Sequence, residues 1–106
     1  MMSKRFTVQL TREAEKDLKR LRSHTDRVIR AILKLEDDPL LGHPLAGCLK
    51  GTRSLEFSLP GSGVYRAIYT IGDENHFCLD IIIGPHESIY DRAERRVKAL
   101  RQAGLI

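Results

Sequence analysis

The stretch "IIIGPHESIYDRAERR", residues 81–96, places side chains that transfer protons and bind anions at the end of an apolar run. Ile81, Ile82 and Ile83 read as a buried strand, Gly84-Pro85 ends it, and His86, Glu87 and Tyr90 follow at once. Arg92, Arg95 and Arg96 lie just beyond. Histidine is the side chain that ordinarily titrates nearest neutrality, which suits it to acid–base work. Two readings fit: a strand-to-helix turn with polar trim, or an active site at the end of a sheet. A second charged residue, Arg66, interrupts the otherwise apolar strand pattern "VYRAIYTI".

The elements that must position these residues follow from periodicity. Phe6, Val8 and Leu10 alternate with Thr7 and Gln9, as in a half-buried strand. Thr11 is a good N-cap, with Glu13 and Glu15 in the first turn of the helix it opens. Ala14, Leu18 and Leu21 fall at helical spacing, and after "RSHTD" a second helix carries Val28, Ile32 and Leu35 and stops before Asp38-Pro39. So short a link predicts an antiparallel helical hairpin with one apolar face.

"DPLLGHPLAGCLKGTR" is punctuated by proline and glycine and reads as a loop. Leu55, Phe57 and Leu59 alternate with Ser54, Glu56 and Ser58 in a second strand, "PGSG" turns the chain, and "VYRAIYTI" is a third. "GDEN" turns it again into a fourth strand, "HFCLDIII". Turns this short predict an antiparallel meander. Ser88 and Asp91 have the form of a capping box that opens a last helix, ending near Gln102. The expected order is β-α-α-β-β-β-α, one α+β domain over residues 1–106 with an antiparallel-dominated sheet, a helical hairpin on one face and a C-terminal helix.

Strand parity refines the picture. Tyr65, Ala67, Tyr69 and Ile71 form a buried face, which turns Arg66 to the opposite one, with Ser54, Glu56 and Ser58. In the fourth strand Phe77, Leu79, Ile81 and Ile83 form the apolar set, leaving His76, Cys78, Asp80 and Ile82 opposite. Arg66 is therefore expected near Asp80 or Ile82, and an ion pair with Asp80 is its structural reading. The helices are expected on one face, and the polar set with the 84–90 turn on the other.

Composition bounds the class. The 106 residues are 42% apolar, enough for one modest core, and no apolar run approaches a membrane span. "MMSKRF" has no apolar leader core, so a soluble cytoplasmic protein is expected. Cys48 and Cys78 form no CxxC, and the four histidines lack ligand spacing, so no metal site is expected; no cofactor is expected either. The net charge of +4 favours a polyanionic partner without naming one. Its distribution is uneven: residues 1–36 hold ten Lys/Arg against five Asp/Glu, 37–84 three against six, and 85–106 five against three.

The segments "LTREAEKDL", "DDPLLGHPLAG", "YRAIY" and "IGPHESIYDRAERR", in this order and spacing, resemble the RelE/ParE toxin superfamily from about Phe6 to Leu100. The resemblance implies a toxin of a type II toxin–antitoxin module with a cognate antitoxin as partner. The RelE-like branch cuts mRNA in the ribosomal A site without a metal, and the ParE-like branch poisons DNA gyrase. By position in the RelE-like pattern, the strand arginine is Arg66, the residue after Gly-Pro is His86, and the later tyrosine is Tyr90. Where the RelE-like pattern has second-strand lysines, this chain has Ser54 and Glu56, so Glu56 or Glu87 is expected to complement His86. Lys50, Arg53, Arg92, Arg95 and Arg96 are expected to meet RNA or ribosome phosphates. The "IGPHESIY" ending favours the RelE-like branch. A gyrase poison and a catalytically inactive ribosome-binding or operon-regulating module are the alternatives, the acidic middle segment favouring the last. Each residue also has a plainer reading: His86 as a solvated turn residue, Tyr90 as a ring packed on the sheet, Glu87 and Asp91 as complements to the helix dipole, and the arginines of the last helix as a solvated face.

Overall fold

The structure is a computed structural model and describes residues 6–72, 76–87 and 89–106. Strand β1 (Thr7–Leu10) leads to helices α1 (Arg12–Arg20) and α2 (Thr25–Leu33), then to strands β2 (His43–Pro44), β3 (Thr52–Leu59), β4 (Gly63–Gly72) and β5 (Phe77–Pro85), and to helix α3 (Ile89–Gln102). Short 3₁₀ turns at Arg22–His24, Lys34–Glu36 and Gly47–Leu49 join them. The five strands form one mixed sheet in the order β1-β5-β4-β3-β2, with only the β1–β5 pair parallel. This is the α+β architecture the periodicity predicts, with one addition. The two-residue β2 lies inside the segment read as loop, too short to carry an alternation. The expected Ser88 capping box and the 73–75 part of the "GDEN" turn lie outside the described residues.

Local chemistry starts each element. The Thr11 side chain accepts from Ala14 N at 3.1 Å and caps α1. The 39–44 loop folds over the sheet, where the Tyr69 hydroxyl donates to Pro39 O at 2.6 Å and accepts from Gly42 N at 3.0 Å. Gly42 is required there, since a Cβ would lie 2.8 Å from both Ser54 O and the Tyr69 ring.

One expectation is overturned: helices cover both faces of the sheet. On one face α2 packs Val28 and Ile32, with Leu35 of the following turn, against Leu55, Leu59, Ala67, Tyr69, Cys78 and Ile83. On the other, α3 packs Ile89, Ala93 and Val97 against Ile68, Ile81, Ile82 and Leu49. A β-bulge enlarges the apolar surface beneath α3. Ile68 opposes Ile82 but Tyr69 opposes Asp80, so Ile81 is an extra residue. Ile81 and Ile82 both join the α3 layer, and Cys78 lies beneath α2, which strict alternation in β5 cannot give.

The bulge also relocates Asp80. It opposes Tyr69 and Leu10, not Arg66, and is fully buried with neither carboxylate oxygen hydrogen-bonded. Burial pushes its pKa up to about 8. The Cys78 thiol is pushed up to about 11, first by burial and then by Asp80.

Beyond Leu10, β1 stops and β5 has an edge without a strand neighbour among the described residues, whose peptide groups need partners. Side chains supply them. Ile81 O accepts from Thr11 Oγ1 at 3.3 Å and Arg96 Nη1 at 3.0 Å, and Ile83 N donates to the buried Asp17 carboxylate at 3.1 Å. Arg96 in turn holds Asp17 with two bonds, of 2.6 and 3.1 Å, and Arg20 and Arg92 each stand 3.6 Å from it. This clamp joins α1, β5 and α3.

Candidate active site

On β3 and β4 the register sets Glu56 directly opposite Arg66, and on β5 Gly84 lies on the other side of that arginine. Because opposed residues share a face, Ser54, Glu56 and Arg66 converge on the α3 side of the sheet near its open end. Arg66 is only 9% exposed. Its Nη2 lies 2.8 Å from Glu56 Oε1 and its Nη1 donates to Ser54 Oγ at 3.3 Å, while Nε is buried without a partner. The Arg66–Asp80 pair expected from parity is therefore replaced by Arg66–Glu56.

The turn after β5 closes over this pair. His86 N donates to Val64 O at 3.2 Å, which ties the turn to the start of β4. The His86 ring meets the Tyr90 ring edge-on at 6.3 Å, and the Arg66 guanidinium stands 5.8 Å from the Tyr90 ring centre, within cation–π range. A cleft of about 650 Å³ opens here, lined by Glu56, Arg66, His86 and Glu87 with the 62–64 end of the β3–β4 turn. Ser62 on its rim is held 3.1 Å from His24 Nε2 at the start of α2. Four of the five predicted acid–base and phosphate residues thus line one depression, and Tyr90 bridges two of them.

Chemically, the set has the groups needed to hold an anion and to transfer protons. Arg66 offers positive charge and an uncommitted N–H, and its position is fixed by burial. Glu56, about half exposed, is free to leave it. His86 and Glu87 are exposed at the rim. Among the described residues, no group of three His, Cys, Asp or Glu is placed to hold a metal ion.

The five residues expected at RNA separate differently. Arg53 lies within β3 on the opposite face, where it donates to Gly42 O at 2.8 Å and Leu40 O at 3.1 Å and clamps the 39–44 loop. Arg96 is committed to Asp17 and Ile81 O, and Arg92 leans on the same carboxylate. Arg95 is exposed in a different depression, beside Cys48, Lys98 and Arg101. Lys50 is exposed and lines no part of the cleft; its carbonyl accepts from Arg101 at 2.6 Å. Sequence reasoning missed Asp17, the keystone of the clamp. Its signal was present, since Asp17 falls at helical spacing among Ala14, Leu18 and Leu21 on an apolar face.

The family described as "ParE toxin of type II toxin-antitoxin system, parDE" matches residues 8–90 of the chain. Among solved structures, the toxin–antitoxin complex RelBE2 from Mycobacterium tuberculosis superposes with a TM-score of 0.65 at 28% identity, covering 77% of this chain and 99% of that one. A free arginine double mutant of the E. coli toxin RelE gives 0.68 at 21% identity, with 88% and 98% covered. The archaeal RelE–RelB complex from Pyrococcus horikoshii gives 0.54 at 18% identity, with 78% and 97% covered. The last two likenesses speak to the fold alone. No curated protein matches closely.

Proposed function

The chain belongs to the ParE toxin family of type II toxin–antitoxin systems, within the RelE/ParE superfamily, and on that premise we propose that it is a ribosome-dependent mRNA interferase held inactive by a cognate antitoxin. The observation that carries this reading is the convergence of Arg66, Glu56 and His86 on one cleft, with Tyr90 against two of them. Two of the similar structures are toxin–antitoxin complexes, which supports an antitoxin as partner.

The chemistry uses those side chains alone. A scissile phosphate binds Arg66 and displaces Glu56 from it. The freed carboxylate takes the proton of the adjacent ribose 2′-OH, whose oxygen attacks phosphorus. Arg66 stabilises the dianionic phosphorane. As the bond from phosphorus to the 5′-oxygen breaks, His86 gives that oxygen its proton. The products are a 2′,3′-cyclic phosphate and a 5′-hydroxyl. Tyr90 offers its ring to a nucleobase or its hydroxyl to a phosphate. Glu87, exposed at the rim, is the second carboxylate within this set.

A second reading, gyrase poisoning, is favoured by the ParE description of the family and by Ser54 and Glu56 standing where the RelE-like pattern has lysines. The test is induction of the chain without antitoxin beside Arg66→Ala and His86→Ala, with new RNA 5′ ends mapped across translated genes. In-frame cuts that vanish in both variants support the interferase. Arrest with intact message and DNA damage moves the assignment to gyrase. Ribosome association without any cut leaves a binding module.

A further inference from the structure

Among the described residues the outer edge of β3 is paired with β2 only at Arg53 and Ser54, so from Leu55 onward no described strand covers it. Two shallow depressions lie between this edge and α2, of about 360 and 300 Å³. They share Ala31, Lys34 and Phe57, and the first also shares Glu56 with the Arg66 cleft. Their shared lining makes the two one trough along α2 and the β3 edge, which meets the Arg66 cleft at Glu56.

Its lining has a distinct chemistry. Arg27, Arg30 and Lys34 stand three and four residues apart on α2 and the turn that follows it, so they share one face. All three are exposed, and none is in an ion pair among the described residues. His43 adds a further nitrogen base. Among the described residues Glu56 is the only carboxylate lining either depression, and it is held by Arg66. The half-buried Phe57 ring in the trough stacks on Tyr65 with centres 6.5 Å apart and planes 23° from parallel, which fixes an aromatic surface.

We propose that this trough binds the single-stranded RNA flanking the scissile phosphate, with Arg27, Arg30 and Lys34 on successive phosphates and Phe57 beneath a base. The proposal rests on the reading of the Arg66 cleft as a nuclease site. Unpaired cations along a groove with an aromatic surface match single-stranded nucleic acid. The row spans about 10 Å of helix, which fits a few nucleotides and no more. A peptide strand would use the free β3 edge, but it would leave the three cations unmatched unless it were acidic.

The test is fluorescence anisotropy of a labelled nine-nucleotide single-stranded RNA with the purified toxin over a range of salt. Each single-strand phosphate contact contributes about 0.7 to the slope of log affinity against log salt, so the R27A/R30A/K34A variant should lose about 2 from it. Phe57→Ala should weaken binding about tenfold with the slope unchanged. Lys98→Ala, on α3 across the sheet, should change neither. Thermal melting establishes that each variant is folded. An unchanged slope in the triple variant overturns the proposal, as does the absence of RNA binding by the wild type. So does loss of affinity for the purified antitoxin with RNA affinity intact, which gives the trough to a protein strand. Cleavage of ribosome-bound message by the wild type, run in parallel, reports on the cleft alone and separates its failure from that of the trough.

Discussion

Two arginines in this molecule each hold a carboxylate at close range, and they do opposite things. Arg96 grips Asp17 with both nitrogens, and that carboxylate is buried, bonded to Ile83 N and flanked by Arg20 and Arg92. The Asp17 carboxylate is thus saturated by donors from α3 and β5. Arg66 holds Glu56 through one nitrogen, the glutamate is about half exposed, and Arg66 Nε has no hydrogen-bond partner among the described residues. A buried carboxylate held by several donors is a fastener. A buried cation whose anion can swing into water is a site in waiting. The lesson is that exposure and saturation of the partner, not the distance between the charges, separate the two.

Breaking the fastener should have the largest effect. Arg96→Ala leaves Asp17 as a poorly compensated buried charge and should cost about 3–5 kcal/mol in a urea unfolding curve. If the loss is under about 1 kcal/mol, Arg96 is not the fastener described. His86→Ala, in the cleft, should do the reverse: cutting slowed about 10²–10³-fold with the urea midpoint nearly unmoved. A large shift in midpoint would make His86 structural.

Asp80 sharpens the comparison because it is a carboxylate with no cation. Its pKa rises from 3.8 to about 8 on folding. Between those values the unfolded chain is ionised and the folded one holds the proton. Stability is therefore greatest below about pH 4 as far as this group is concerned, falls as pH rises, and has lost the full contribution above about pH 8. Asp80→Asn should raise stability at pH 7 by about 2–4 kcal/mol and flatten this pH dependence, read from urea curves across the window. Failure to flatten would mean that Asp80 has a partner in solution.

Arg53 belongs with Arg96. Its two bonds to loop carbonyls predict that Arg53→Ala loses about 1–2 kcal/mol and exposes the 39–44 loop to protease, with cutting by the folded fraction unchanged. Selective loss of cutting would return Arg53 to the phosphate-binding set.

Much of this was legible in the sequence, and the failures have physical causes. Alternation in β3 and β4 gave the Arg66–Glu56 face because those strands pair without interruption. The same reasoning failed one strand later, because an extra residue at Ile81 changes parity and leaves no mark on an all-isoleucine run. That hid both the α3 layer and the true neighbour of Asp80. The positions of His86 and Tyr90, after β5 and at the start of α3, were legible because a strand, a turn and a helix start are local signals. Arg96 was misread because its partner is 79 residues away, and no local pattern separates an arginine that faces solvent from one that reaches round a sheet edge. For Arg53 the partners were backbone carbonyls, which a sequence does not display.

The central claim is that the cleft around Arg66 performs phosphoryl transfer on message. It is tested most directly with ribosomes programmed with a defined codon in the A site and incubated with folded wild type or Arg66→Ala. The account predicts one cut by the wild type, with a 2′,3′-cyclic phosphate and a 5′-hydroxyl at the new ends, and a rate about 10²–10³-fold lower for Arg66→Ala. Undiminished cutting by the variant, or intact message with the wild type, would contradict it.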